Sequence, residues 1–494
     1  MLPHSRNSIQ RGREALECIL ELGPTGSPAP PRLSSLRPHP TSTHLDRTYM
    51  RILIHCLNFS PEPTGVGKYV GEMADWLALR GHEIHVVTAP PHYPQYRVFD
   101  GYSSWRYTSR PDAVTRTVHN SVEVRRCPVW VPREPRGWRR ILHLTSFALS
   151  SLPVMLQESA WRPDVVLVLE PTLFCTPAAL AVARLCAATS WLHVQDFEVD
   201  AAFQLKDFSS ARLKRWVLAI ERRVLSKFDR ISAISERMVE RLHAKGVQPA
   251  RTALFPNWVD TAAIFPRETP SPLRRELGIS PQAVVALCSG SMGKKQGLEL
   301  MTEVSHQLSY RSDLQFVFSG EGSYRETLAL KTKTLKNVIT LPLQSVERLN
   351  DLLNLADIHL LPQMADAADL VMPSRLTGMM ASGRPTIATA LPGTQLFRAV
   401  QGRGIATTPG DAGSFIAALL QLVDDPILRH RLGAQARGFA VDFLNRDQVL
   451  ASFEQALLES CGLPLRGARA SIPRATAKNV PVEETLMTSG KGSG

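Results

Sequence analysis

The sequence predicts an α/β protein of two Rossmann-like domains in tandem with a cleft between them. Three observations carry this. From Met50 onward, strand-length apolar runs alternate with amphipathic helix-length stretches, the pattern of a doubly wound parallel sheet. The alternation breaks once, at the proline-containing stretch LFPNWVDTAAIFPR (254–267), and then resumes. Glycine-containing loops follow strands in both halves, at the strand ends where such sheets hold ligands.

Residues 1–49 are rich in proline, serine and arginine and lack periodicity. They read as a disordered extension, or as a misassigned start ahead of Met50. Residues 50–250 form the first domain. Its opening strand, Arg51–Cys56, leads into a loop with Gly65 and Gly67. Val66, Val70, Met73 and Leu77 then mark a helix face at spacings of four, three and four, ending near Gly81. Ile84–Thr88, Val122–Arg126, Val165–Leu169, Ser190–Val194 and Arg230–Ile234 continue the strand series. Residues 251–270 are the expected linker, 271–435 the second domain, 436–460 a C-terminal helix and 461–494 a disordered tail.

The composition is that of a globular protein, 44% hydrophobic and 21% charged, in 494 residues. The net charge of +12 suits an anionic substrate or surface. No nucleic-acid-binding module pattern accompanies it. No run of eighteen apolar residues occurs; the longest candidate, Ile141–Leu156, is interrupted by polar residues and Pro153. The seven cysteines are scattered and form no CxxC pair, which points to a reducing compartment and away from structural zinc.

Four loops of the second domain carry the chemistry. SGSMGKKQG (289–297) places glycines and Lys294–Lys295 between a strand and a helix, suited to phosphate. SGEGS (319–323) is a second Gly-x-Gly turn, and LPLQS (341–345) an extended segment. The fourth, DAADLVMPSRLTGMMASGRPTIA (366–388), reads as an acidic loop, a helix N-capped by Ser374, a glycine stop at Gly383 and a buried strand. A helix N-terminus beside Arg375 suits a diphosphate. His193 has two readings, a packed loop histidine and a polar group at a strand end facing the cleft. Segments around Trp138–Ile141 and 211–227 mix cations with aromatic and aliphatic residues. They read as solvated faces or as a membrane-surface contact.

Together these strings resemble the retaining glycosyltransferases of the GT-B fold, family GT4. The resemblance rests on MRILIHCLNFSPEPTGVGKY (50–69), ISAISERMVERL (231–242), LFPNWVD (254–260), GSMGKKQGLE (290–299) and VMPSRLTGMMASGRPTIA (371–388). It is strongest to the fucosyltransferases of colanic acid and related exopolysaccharide synthesis. It implies a nucleotide-sugar donor as co-substrate and no further cofactor. It also implies a polyprenyl-diphosphate-linked saccharide acceptor, work at the cytoplasmic face of the plasma membrane and no metal. Gly293, Lys294 and Lys295 would approach the diphosphate, Gly320 and Gly322 the nucleoside, and Leu341–Gln344, with Leu343, the base. Pro373, Ser374, Arg375 and Leu376 would form the donor-binding helix start, and Gly65 and Gly67 would close on the diphosphate and acceptor. His193 and Asp196 would face the transferred sugar, with Lys295 and Asp369 as further catalytic groups.

Two departures stand out. The family's two glutamates, separated by seven residues, fall on Leu370 and Gly378. Its phosphate-loop Arg and Lys fall on Ser291 and Gln296. Lys294 and Lys295 compensate in charge, and Asp366 or Asp369 is the available carboxylate. A nucleotide-sugar 2-epimerase and a non-catalytic nucleotide-sugar-binding subunit are the competing readings.

Overall fold

The computed structural model describes residues 49–109, 122–133, 137–169, 173–197, 211–293, 296–364 and 373–464. The first domain runs β1 (Arg51–His55), α1 (Gly65–Leu79), β2 (Glu83–Thr88), β3 (Thr108–Ser109), β4 (Val122–Arg126), α2 (Trp138–Glu158), β5 (Val165–Leu169), α3 (Thr176–Cys186), β6 (Thr189–Val194), α4 (Ala211–Leu225), β7 (Arg230–Ala233), α5 (Glu236–Ala244) and β8 (Thr252–Leu254). The second runs α6 (Pro272–Glu276), β9 (Val284–Ser289), α7 (Leu298–Gln307), β10 (Leu314–Ser319), α8 (Arg325–Thr332), β11 (Val338–Leu341), α9 (Leu349–Leu355), β12 (Ile358–Leu361), α10 (Arg375–Ala381), β13 (Thr386–Thr389), α11 (Gln395–Val400), β14 (Gly404–Thr407) and α12 (Ala412–Asp424). Two helices close the chain, α13 (Pro426–Phe443) and α14 (Arg446–Ser460). The helix expected over 436–460 is therefore the end of α13 and all of α14, broken at Leu444–Asn445.

The first sheet has the order β3-β4-β2-β1-β5-β6-β7-β8 and the second β11-β10-β9-β12-β13-β14. Among these pairings only the short β3 is antiparallel. The strands read as near-continuous apolar runs because both faces are covered. On β1, Leu53 enters one core cluster while Ile52 and Ile54 enter the other. On β9, Ala286 and Cys288 face one cluster and Val285 and Leu287 the opposite one. In each sheet the strand order reverses beside the first strand, between β1 and β5 and between β9 and β12. Crevices open at the carboxyl ends there.

The linker is not a loose tether. Phe255 and Trp258 are buried in the first domain's core, whereas Val259 and Ile264 belong to the second's. The chain recrosses at Leu444–Asn445, and the two crossings bond to each other. The Val259 N–H donates to the Leu444 carbonyl (2.8 Å) and the Arg446 N–H to the Val259 carbonyl (3.0 Å). α14 then docks on the first domain. Phe453 stacks on Phe255 at 3.8 Å and meets Trp191 edge-on at 5.3 Å. His82 Nδ1 accepts from the Met50 N–H (3.0 Å), so its proton sits on Nε2 and is donated to buried Glu454 at 2.8 Å. Arg80 pairs with the same carboxylate.

Truncating Phe453 removes a ring shared by helix, linker and sheet. Phe453→Ala is expected to destabilise the protein by about 3–5 kcal/mol, read as a lowered urea midpoint.

Candidate active site

The carboxyl ends of the first sheet open on a cavity of about 360 Å³. Leu57 and Asn58 follow β1, Gly65, Val66 and Tyr69 start α1, and His92, Tyr93 and Tyr96 follow β2. Arg140, His143 and Leu144 come from α2, Gln195 and Asp196 from the end of β6, and Ser374 from the second domain. The cavity thus spans the interdomain cleft. It brings together three residues singled out in the sequence, Gly65, Asp196 and Ser374.

Gly65 opens α1 at φ +67°, a left-handed conformation that favours glycine. Thr64 makes no side-chain cap, so the first N–H groups of α1 remain for a ligand. Gly67 serves packing. A Cβ there would lie 2.5 Å from Glu62 Oε2. Glu62 itself is absent from the sequence-based set. It is buried, and its Oε1 accepts from the His92 N–H (2.9 Å), the Tyr93 N–H (2.9 Å) and Asn58 Nδ2 (3.2 Å). One carboxylate therefore fixes three cavity-lining residues.

The histidines of the wall are neutral. Burial pushes His92 down to about 4, and His143 is lowered by burial as well. Each has a ring Nδ1 beside a backbone carbonyl, of Pro90 at 2.9 Å and of Trp130 at 2.6 Å. A carbonyl only accepts, so Nδ1 carries the proton and Nε2 is the acceptor nitrogen of each ring.

His193 does not line this cavity. It is buried at the end of β6, with its ring nitrogens 2.9 Å from Ser232 Oγ and 3.0 Å from Gln195 Nε2.

On the second domain, the loops after β9, β10 and β11 are laced by backbone bonds. The Gly290 N–H donates to the Ser319 carbonyl, Met292 N–H to Glu321 and Gly320 N–H to Leu341. Gly320 and Gly322 are required by that contact. A Cβ on Gly320 would sit 1.8 Å from the Gly290 carbonyl oxygen, and one on Gly322 2.6 Å from Met292 backbone. Gly293 lies against Gln296, and Leu343 is exposed.

Arg375 spans the second switch point. Its Nη1 donates to the Ser289 carbonyl (3.2 Å) after β9 and its Nη2 to the Pro362 carbonyl (3.4 Å) after β12. Two of its five N–H donors are thereby used.

Two expectations fail here. Ser374 is not a side-chain N-cap: its backbone is helical (φ −58°, ψ −28°) and its side chain makes no cap bond. Its side chain instead faces Tyr69 across the cavity, and its carbonyl accepts from Thr377 Oγ1 at 2.8 Å. Leu376 contributes no cavity surface; it is fully buried with Met379 and Met380, because the positions two, five and six beyond Ser374 form the inward face of α10. Pro373 is likewise buried, at the helix start. Gly383 does end α10, at φ +70°. Gly378 faces Leu353 Cδ1. Lys294, Lys295, Asp366, Asp369 and Leu370 lie outside the described residues.

Burial pushes the Glu62 carboxyl up to about 7, against the opposing pull of its backbone N–H donors. The unfolded group titrates near 4.5. Between those values the native state holds the extra proton, so this group's contribution falls as pH rises and levels off above 7. Glu62→Gln is expected to flatten that slope, worth roughly 3 kcal/mol across the window, in urea denaturation from pH 4.5 to 8.

Comparison with known proteins adds to this geometry. Residues 64–258 match the glycosyl transferase 4-like domain, and residues 271–439 match glycosyl transferases group 1. The chain is 36% identical over 414 residues to WcaI of Escherichia coli (strain K12), named for a glycosyl transferase role in colanic acid biosynthesis. That match covers 82% of this chain and 98% of WcaI. It is 26% identical over 224 residues to the GDP-mannose-dependent monoacylated alpha-(1-6)-phosphatidylinositol monomannoside mannosyltransferase of Corynebacterium glutamicum, covering 44% of this chain and 58% of that one. Its fold is that of sucrose-phosphate synthase from Thermosynechococcus elongatus (TM-score 0.64, 15% identity, 83% of this chain, 98% of the other). With both domains matched in order and a relative aligned almost end to end, the chain belongs to the GT4 family of GT-B glycosyltransferases.

Proposed function

We propose that this glycosyltransferase moves fucose from GDP-fucose, or the sugar of another GDP-sugar, to a lipid-linked saccharide in exopolysaccharide assembly, with retention. The observation that carries the reading is a cavity lined from both domains, with Ser374 on it together with the start of α1, Gln195 and Asp196. The likeness to WcaI supports the pathway. The GDP-mannose dependence in the name of the Corynebacterium relative supports the nucleotide.

In this reading the acceptor hydroxyl attacks the anomeric carbon on the face that the diphosphate leaves. The bond to the β-phosphate oxygen breaks, and that oxygen takes the acceptor proton. The developing charge falls to Lys294, Lys295 and the free donors of Arg375, with no metal invoked. The N-terminus of α1 adds its aligned N–H groups. Arg375→Ala and Lys295→Ala are each expected to cut kcat by about 100-fold. Undiminished turnover in both would sink the assignment. A donor screen by thermal shift, followed by product analysis, tests the nucleotide. Stabilisation by UDP-sugars alone overturns the GDP choice, a C2-inverted nucleotide sugar marks an epimerase, and binding without nucleotide release marks a non-catalytic subunit.

The carrier is read from α2. Arg140, His143 and Leu144 touch the cavity, while Trp138, Ile141, Leu142, Leu149, Leu152 and Leu156 are exposed. At 100° per residue these six fall on one stripe along a helix about 30 Å long. Among the described residues no helix is long and apolar enough to cross a membrane, so the stripe suits an interfacial contact. On α4, Trp216 and Ile220 are exposed among Arg212, Arg215, Arg222 and Arg223, a cationic face matching anionic headgroups. The pair Trp138→Ser and Leu149→Ser is expected to lower flotation with phosphatidylglycerol-containing vesicles about tenfold or more, leaving the folded fraction unchanged. Equal flotation of variant and parent would remove the membrane role.

A further inference from the structure

A chain of polar side chains runs from the first domain's core to the cavity wall. Trp191 Nε1–H is a donor only, and it reaches Ser232 Oγ at 2.9 Å. Ser232 Oγ is 2.9 Å from His193 Nδ1, and His193 Nε2 is 3.0 Å from Gln195 Nε2. Trp191, Ser232 and His193 are buried, whereas Gln195 lines the cavity.

The protons along this chain can be assigned. An amide nitrogen only donates, so His193 Nε2 accepts from it. The ring proton is then on Nδ1, facing the Ser232 hydroxyl oxygen. The amide nitrogen facing Nε2 and the proton on Nδ1 therefore fix each other. Burial keeps the ring neutral, pushing it down to about 3. Phe255 lies on the ring at 4.8 Å, packing that opposes its rotation.

We propose that His193 is a positioning residue that holds the Gln195 amide with its nitrogen turned back and its carbonyl oxygen presented to the cleft, as an acceptor for a sugar hydroxyl. This rests on the glycosyl-transfer reading. A buried ring whose Nε2 is occupied by an amide N–H has no site for a substrate proton. His193 thus acts through Gln195, the group that touches the ligand.

Two measurements on the full chain test this. Nitrogen-15 NMR of the histidine rings, with His193 assigned by its loss in His193→Phe, is expected to give a neutral Nδ1–H tautomer, unchanged from pH 5.5 to 8.5 without ligand. An Nε2–H tautomer, or a titration between pH 6 and 7, overturns the proposal. The second is a double-mutant cycle read as GDP release from GDP-fucose. His193→Phe and Gln195→Ala are each expected to lower kcat about tenfold, and the double variant to match Gln195→Ala within about twofold. Multiplying losses, or a fully active Gln195→Ala, overturn it. The NMR arm needs no turnover and is read on the parent protein. A parent that releases no GDP therefore counts against the donor reading and leaves the tautomer test standing.

Discussion

The stacking of Phe453 on Phe255 is the contact on which the rest of the molecule depends. The chain passes between its domains twice, at 258–259 and at 444–445, and both passages are pinned within a few residues of this pair. Phe255 also touches His193 and Trp258, and Trp258 meets Tyr69 edge-on at 5.0 Å. Tyr69 in turn faces Ser374 of the opposite domain across the cavity. A shift of α14 is therefore felt at the hinge, at the strand end holding His193 and at the side chains facing each other across the cleft. Close-packed aromatic contacts of this kind transmit displacement because the interior has little free volume to absorb it.

Within that frame the two domains solve the same problem differently. Each has a crevice where strand order reverses. In the second domain Arg375 laces the crevice shut at its base by bonding the carbonyls after β9 and β12. What remains open above it is backbone, held close by glycines that leave no room for side chains. In the first domain the crevice stays open as the cavity, and buried side chains set its walls from behind. Backbone surface suits a diphosphate, whose oxygens accept from N–H groups of any residue. A cavity walled by rings, amides and hydroxyls suits a saccharide, whose recognition needs oriented donors and acceptors.

The central strands were legible from periodicity because both sheets are covered on both faces there, so β1, β5 and β9 read as apolar runs; the short β3, β8 and β14, partly or fully exposed, gave no such signal. The crossing at 254–267 was legible as a break, but not that Phe255 and Trp258 join one core and Val259 the other. That division depends on which surfaces meet, which spacing does not encode. The donor helix shows the same limit. The resemblance gave Arg375 and Leu376 one role; the helix turns Leu376 into the core and Arg375 along the strand ends. Ser374 has the residue type of a cap, yet its backbone is already helical, which turns its hydroxyl away from the first free N–H groups. Glu62, His92 and Tyr93 went unrecognised because the bonds uniting them span thirty residues. The clustering of PEP and PPHYP after the first two strands was the available signal.

The buried groups behind the cavity share one property that bears on chemistry. His92, His143 and His193 are neutral, and Glu62 sits near the midpoint between its forms at pH 7. The first domain thus supplies orientation with little formal charge of its own, apart from Asp196 and Arg140 at the wall. On the proposed reading a departing diphosphate would meet fixed dipoles there, the α1 N–H groups above all. Fixed dipoles need no reorganisation as charge develops. On the proposed reading charge compensation belongs to the second domain, where Arg375 already stands at the strand ends. The cleft would then divide its labour by physics, one wall orienting and the other neutralising.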